Sequence, residues 1–458
     1  MPTFHPSLLI GLTVCLCSNA GFATAQDAAV ATSPRIKFAL PAEDADIPGA
    51  GPLRRHEWFQ NRWTERREKF AKAAAQDKGA VVFLGDSITQ GWTDDFRGVF
   101  AGMKVANRGI GGDTTRGMLL RLEEDVLSLD PAAVVMLMGT NDLEENAEPK
   151  TIAGNVELII ERLKKSDPKM PIVLCQMFPS SAEKNRPKEK IQETNRLCSR
   201  VVKGDPLVTV VDTWTLFAGP DGDANDVDFK DKLHINPGGY AKWAAALRPI
   251  FATLGFLETD AEPLELEPGF VSLFNGKDLS GWGFRKSPEK MIKGRERWLK
   301  RDPENAPTFP IVTEPVTFDG KTSTPGGRYV AKAGRLIVTT PPEGRKIQQL
   351  YTTAEFPNDF ELRLEFRATP NADSGVFIRE PQLQCRDFVL AGPYKDLKHY
   401  KPQQWNELVV TVKGNVAHCT CNGEVIEDAL KVPDTGPIGL EGDRGQIEYR
   451  HIRIKTQD

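Results

Sequence analysis

Between residues 80 and 211 the chain carries five short runs that are apolar almost throughout: Ala80–Leu84, Lys104–Ala106, Ala133–Met138, Ile172–Gln176 and Leu207–Val211. The later runs are separated by segments of helical periodicity. Ile152, Val156, Ile159 and Leu163 recur three or four residues apart, as do Ile191, Thr194, Cys198 and Val201. Residues 57–77, charged with apolar punctuation, predict a helix, and another is predicted from Pro237 to Leu254. Strands without polar alternation, interleaved with helices, imply a parallel sheet covered on both faces. Residues 53–256 therefore read as one α/β domain with a five-stranded parallel sheet. An acidic, unpatterned stretch, residues 257–268, reads as a linker. Beyond it the period drops to two: Phe360, Leu362, Leu364 and Phe366 alternate with Glu361, Arg363, Glu365 and Arg367, and Leu408, Val410 and Val412 repeat the pattern. Asn422-Gly423 between β-rich runs predicts a type I′ hairpin. Residues 269–458 are expected to form an all-β two-sheet sandwich, with the charged, proline-rich residues 286–328 as a surface excursion.

Ahead of the α/β domain, Leu8–Leu16 is an apolar run too short to span a bilayer and of the length of a signal-peptide core. Ala23-Thr24-Ala25 offers a cleavage site, so residues 1–25 read as a signal peptide and the protein as exported, periplasmic or extracellular. Residues 26–52 read as a flexible lead-in. No later stretch predicts a membrane span. Fifty-nine Lys and Arg against 63 Asp and Glu give a formal charge of −4, which argues against a strongly cationic nucleic-acid binder. Removing the leader leaves five of seven cysteines, an odd and sparse set that reads as buried thiols rather than a disulfide framework. With no CxxC pair and no histidine cluster, neither a metal site nor a cofactor is expected. Oligomeric state is left open.

Chemistry concentrates at the carboxyl ends of the predicted strands, where open α/β sheets place ligands. The first strand ends in Gly85-Asp86-Ser87; alone, Ser87 reads first as a helix cap. Asn107-Arg108-Gly109-Ile110-Gly111-Gly112-Asp113-Thr114-Thr115 follows the second strand, and its glycines allow backbone N–H groups to approach a substrate. Gly139-Thr140-Asn141-Asp142 follows the third, and Asn141 offers a side-chain donor. Asp231-Lys232-Leu233-His234 precedes the last helix. Of the six histidines, only His56 and His234 fall in this domain, and His56 sits among charged residues on an expected solvated face. His234 is thus the candidate base, with Asp231 as the carboxylate that would orient it.

These blocks, FLGDSIT, NRGIGGDTT, GTND and DKLH, together resemble the SGNH (GDSL) hydrolase superfamily. The segments NRGIGGDTTRGMLLRL and LHINPGGYAKW are similar to the catalytic subunits of platelet-activating factor acetylhydrolase. The resemblance implies a flavodoxin-like three-layer fold and metal-independent ester hydrolysis. Ser87 would be the nucleophile, His234 the base and Asp231 its orienting partner. The backbone N–H groups of Ser87 and Gly112 and the side chain of Asn141 would form the oxyanion hole. Asp86 and Asp142 are expected to hold loops through backbone hydrogen bonds.

The second domain opens with GFVSLFNGKDLSGW and carries NADSGVFIR, GPIGL and YRHIRIK. It resembles the 3-keto-disaccharide hydrolase domain, which implies a concanavalin-like jelly roll. Where that family closes on Leu-Gln-x-His-Gly, this chain reads Leu440-Glu441-Gly442-Asp443-Arg444, without the histidine, so a sugar-binding or tethering role stands beside a hydrolytic one. Asp373, Arg379 and Glu441 are cleft candidates by position. Trp298 is the surface candidate for stacking on a sugar, whereas Trp282 and Trp405 read as sandwich core. The leading expectation is an exported serine esterase that removes short acyl groups, acetyl foremost, from carbohydrate or another small ester. The rivals are a 3-keto-glycoside hydrolase with an accessory esterase domain, and a glycan-binding protein with a vestigial esterase fold.

Overall fold

The computed structural model describes residues 38–257 and 263–457. The expected signal peptide and the lead-in as far as residue 37 lie outside the described residues. Five strands, β1 (Val81–Gly85), β2 (Val105–Gly109), β3 (Ala133–Leu137), β4 (Ile172–Cys175) and β5 (Val208–Val211), form one parallel sheet in the order β2-β1-β3-β4-β5. Alternate side chains leave opposite faces, and here both faces are covered. Val81, Phe83, Val135 and Val173 pack with the helix Pro237–Leu254 and with Trp92, Phe96 and Phe100. Val82, Leu84, Val134, Met136 and Leu174 pack with the helices Pro149–Ser166 and Lys188–Val201. Burial on two sides is why these runs lack polar alternation. The helix Pro237–Leu254 starts and stops on local signals: Asn236 Oδ1 accepts from Gly239 N, Pro237 takes the first turn, and Gly255 closes it at φ 90°.

The lead-in corrects the sequence reading. From Asp44 to Pro52 it is not loose but strapped across the domain. Ala50 N donates to Asn155 Oδ1 at 3.0 Å, and Asn155 Nδ2 returns a bond to Ala50 O at 2.8 Å. Arg116 pairs with Asp44 at 2.6 Å and donates to Gly51 O, while Thr114 Oγ1 donates to Pro52 O at 2.8 Å.

The C-terminal half is a sandwich of two antiparallel sheets, of eight and six strands. Phe360–Ala368 alternates buried and half-exposed along its whole length, and its inward side chains join Trp282, Leu350, Leu440 and Ile454 in one core. Asn422 and Gly423, at φ 48° and 81°, make the expected hairpin turn. One reading, of Trp405, is corrected, and two gain detail. The excursion contains a helix, Glu289–Arg301, none of whose residues is buried. Trp405 is not a core aromatic: it lies between the guanidinium groups of Arg367 and Arg450, 4.8 and 4.3 Å from its ring, whereas Trp282 is fully buried. The linker is tied at its end, where Glu267 pairs with Arg453 at 2.7 Å and Arg363 at 3.3 Å. The five cysteines among the described residues are free and buried.

The two halves touch directly. Asn371 Nδ2 donates to Asp212 Oδ2 at 2.7 Å, Gln446 Nε2 to Thr253 Oγ1 at 3.0 Å, and Lys332 Nζ to Thr253 O at 2.7 Å.

Candidate active site

β1 ends at Gly85, and the chain turns at once into a short helix, Ser87–Gln90. Asp86, not Ser87, is its cap: Asp86 Oδ1 accepts from Ile88 N at 2.8 Å. That leaves the Ser87 hydroxyl free for another partner. The turn is seated by Tyr240 on the last helix, whose hydroxyl donates to Ile88 O at 2.7 Å. Tyr240 passes so close to Gly91 that a Cβ there would lie 2.0 Å from its oxygen, so only glycine fits.

The partner of Ser87 comes from the far end of the domain. Ser87 Oγ lies 3.0 Å from His234 Nε2, and His234 Nδ1 lies 2.8 Å from Asp231 Oδ2. A carboxylate can only accept, so Nδ1 carries the proton and Nε2 accepts from the hydroxyl. Asp231 Oδ1 takes the backbone N–H of His234 at 2.7 Å and of Leu233 at 3.2 Å, which fixes the carboxylate to its own loop. Partial burial would raise the Asp231 carboxyl, but these hydrogen bonds and the imidazole outweigh it and hold the group down to about 2. The loop turns through Lys232 at φ 64° and is anchored by Ser180 Oγ donating to Lys232 O at 2.8 Å.

Gly112 and Asn141 lie on the segments that follow β2 and β3. Gly112 adopts φ 89°, a conformation that strains any residue with a Cβ. A Cβ there would also strike Trp58 Cη2 at 2.6 Å. Asn141 Nδ2 donates to Asp113 O at 2.9 Å, tying the loop after β3 to the loop after β2. Asp142 reinforces the tie by accepting from Thr115 N at 2.9 Å and from the Thr115 hydroxyl. Burial raises the carboxyls of Asp86 and Asp142 to about 6.

Three residues here escaped the sequence reading. Arg186 is buried; it donates to Thr140 O at 3.0 Å, Asn141 Oδ1 at 3.3 Å and Glu144 Oε2 at 2.8 Å. By occupying Asn141 Oδ1 it fixes which end of that amide faces the site. Arg54 and Trp58 arrive from the strap and the first helix: Arg54 pairs with Glu145 at 2.7 Å and with Glu144, and lies 5.8 Å from the Trp58 ring. Their only local signal was an aromatic residue at the start of a charged helix, which periodicity assigns to packing.

The candidates of the second domain do not converge in the same way. Arg379 is buried and spends its guanidinium on backbone carbonyls, Phe356 O at 2.8 Å, Pro433 O at 2.7 Å and Asn358 O at 2.8 Å; it staples loops at the edge of a cavity that Tyr351 and Glu355 also line. Asp373 lies between Arg386 and Arg444, each at 3.0 Å. Glu441, on the neighbouring strand, accepts from Gln349 at 3.4 Å and from Gln382, and burial raises its carboxyl to about 7. Asp443, at the place of the family's histidine, pairs with Arg345. Trp298 is on the surface, 38% exposed on the helix Glu289–Arg301. Among the described residues no group of three or more His, Cys, Asp or Glu could hold a metal ion, and no helix is long and apolar enough to cross a membrane.

Comparison with known proteins finds likenesses to both halves of the chain. The model of the GDSL-like lipase/acylhydrolase family matches residues 83–242, and that of the 3-keto-alpha-glucoside-1,2-lyase-like domain matches residues 269–455. The platelet-activating factor acetylhydrolase IB subunit alpha2 of Homo sapiens is 30% identical over 219 residues, covering 47% of this chain and 90% of that protein. The alpha1 subunit of Pongo abelii is 31% identical over 196 residues, covering 42% and 84%. A GDSL-like lipase of known structure from Bacteroides thetaiotaomicron is 26% identical, covers 41% of this chain and 97% of its own, and superposes with a TM-score of 0.37. In its N-terminal half, around Ser87, the chain belongs to the GDSL-like lipase/acylhydrolase family, and behind it lies a region similar to the 3-keto-alpha-glucoside-1,2-lyase-like domain.

Proposed function

We propose that the protein is an exported serine esterase that cleaves short acyl groups, acetyl foremost, from carbohydrate. The observation that carries the reading is the hydrogen-bonded chain from Ser87 through His234 to Asp231, at 3.0 and 2.8 Å. The Ser87 hydroxyl attacks the ester carbonyl while His234 Nε2 takes its proton, and the carbonyl electrons move to oxygen. The N–H groups of Ser87 and Gly112 and the Asn141 amide meet that charge. The intermediate collapses, the alkoxide leaves with the proton from His234, and an acyl-serine remains. Water then repeats the sequence, with His234 again as base, and releases the acid. Asp231 stays ionised and stabilises the imidazolium in both halves. No step in this sequence calls on a metal ion.

The acetyl preference rests on the likeness to proteins named acetylhydrolases, and the carbohydrate on the attached sugar-related domain. With Asp443 paired to Arg345, we assign that domain a sugar-binding or tethering role. Export rests on the pattern of residues 8–25. The deciding experiment is release of acetate from acetylated glycosides and p-nitrophenyl acetate by the full chain and by Ser87→Ala. Loss of turnover with an unchanged circular dichroism spectrum supports the reading; a folded Ser87→Ala protein that still hydrolyses either ester refutes it.

A further inference from the structure

The first helix carries three aromatic residues near its start. Phe59 and Trp63 are fully buried, but Trp58 is left 49% exposed. An indole left half in water forgoes part of its burial, and this one is not loose. Its edge rests against Gly112, the guanidinium groups of Arg54 and Arg62 lie over its ring at 5.8 and 5.9 Å, and the His56 ring lies nearly parallel to it at 6.5 Å. A fixed, half-open aromatic surface thus borders the loop whose Gly112 N–H is to meet the ester oxygen.

The groups around it narrow what it can receive. Arg54 is neutralised by Glu144 and Glu145. Arg62 is not: it has no hydrogen bond or ion pair among the described residues, and its guanidinium lies where a Cβ on Gly111 would be 2.7 Å from a terminal nitrogen. The wall therefore combines an apolar π-face with unspent N–H donors at its border. A plain alkyl ester would use the face and leave the donors idle. A compact anion would use the donors and leave the face idle. A pyranose ring uses both, with its C–H face on the indole and its hydroxyl oxygens toward the guanidinium.

We propose that Trp58, with Arg62 beside it, is the subsite that holds the sugar ring bearing the acyl group. This rests on the esterase reading, since it presumes an ester carbonyl at Gly112. A fixed indole costs little ordering on binding, so its effect falls on selectivity among esters.

The test compares two substrates on the full chain: ethyl acetate, and methyl 2-O-acetyl-β-xyloside, with acetate release followed by titration. In Trp58→Ala the ratio of kcat/KM for the glycoside to that for ethyl acetate should fall about tenfold, chiefly through KM, and Trp58→Phe should restore most of it. Arg62→Gln should lower the ratio to a lesser degree. Equal losses on both substrates would make Trp58 a mere prop for Gly112 and overturn the subsite. So would no loss on either, or a wild-type protein that hydrolyses ethyl acetate through Ser87 but not the glycoside. Absence of any Ser87-dependent hydrolysis would instead overturn the esterase reading, and this one with it.

Discussion

The two halves of the chain treat their polar residues in opposite ways. At the carboxyl ends of β1 to β3, hydrogen bonds are spent on aiming groups that keep a free valence. Asp231 is held by its own loop yet points at His234, and Asn141 is gripped at its oxygen and at one N–H. On the outer face of the six-stranded sheet the charged candidates are spent on one another: Asp373 on two arginines, Glu441 on two glutamines, Asp443 on Arg345. Charge and burial alone do not distinguish such regions. What does is whether a chain of hydrogen bonds ends on a protein atom or stops at an open one.

The largest effect that would sharpen this contrast is at Asp231. Asp231→Asn should lower kcat by roughly 10³–10⁴, because the imidazolium loses its counter-charge and its preferred tautomer. Steady-state kinetics together with a melting curve decide it, and a loss of only a few-fold would erase the distinction between aimed and merely paired carboxylates. Next comes the oxyanion side. Asn141→Ala should lower kcat by roughly 10²–10³ with little change in KM. Arg186→Gln should lower it less, and hardly at all in the Asn141→Ala background, since Arg186 acts through that amide. A double-mutant cycle in which the two losses add would show Arg186 to be a structural residue only.

The smallest effect belongs to the second half. Glu441 holds its proton to about pH 7 when folded, against ~4.3 in the unfolded chain. Between these values the folded state binds the extra proton, so the stabilising contribution is full below ~4.3 and is lost as pH rises to about 7. Glu441→Gln should flatten the decline of Tm with pH across that window and leave ester hydrolysis unchanged. A lost esterase activity would make the second half part of the first site.

Much of the scaffold was legible because it is written locally. The helix Pro237–Leu254 carries its own cap, first-turn proline and closing glycine, and the strands declare burial by lacking alternation. Ser87 could be picked out by its place at a strand end, and His234, with Asp231 beside it, because only one other histidine falls in the domain. The rest depends on distant partners. The helix Glu289–Arg301 buries nothing, so no apolar stripe of core width announced it; a Glu289–Lys293 pair at 3.2 Å is among the little that supports it. Arg186 follows an asparagine in an unpatterned loop, and nothing within ten residues foretells its bond to Asn141. Trp405 looked like core because an aromatic next to a strand usually is; two arginines on neighbouring strands draw it outward instead.

The strap from Asp44 to Pro52 has a consequence for the order in which the molecule comes together. Its bonds to Asn155 and Arg116 span 105 and 72 residues of sequence, and both partners lie on helices that help cover one face of the sheet. Contacts of such separation form late, after nearer ones have closed most of the loop between them. The strap leads straight into Arg54 and Trp58, so the setting of Trp58 against Gly112 hangs on contacts whose loops are among the costliest to close.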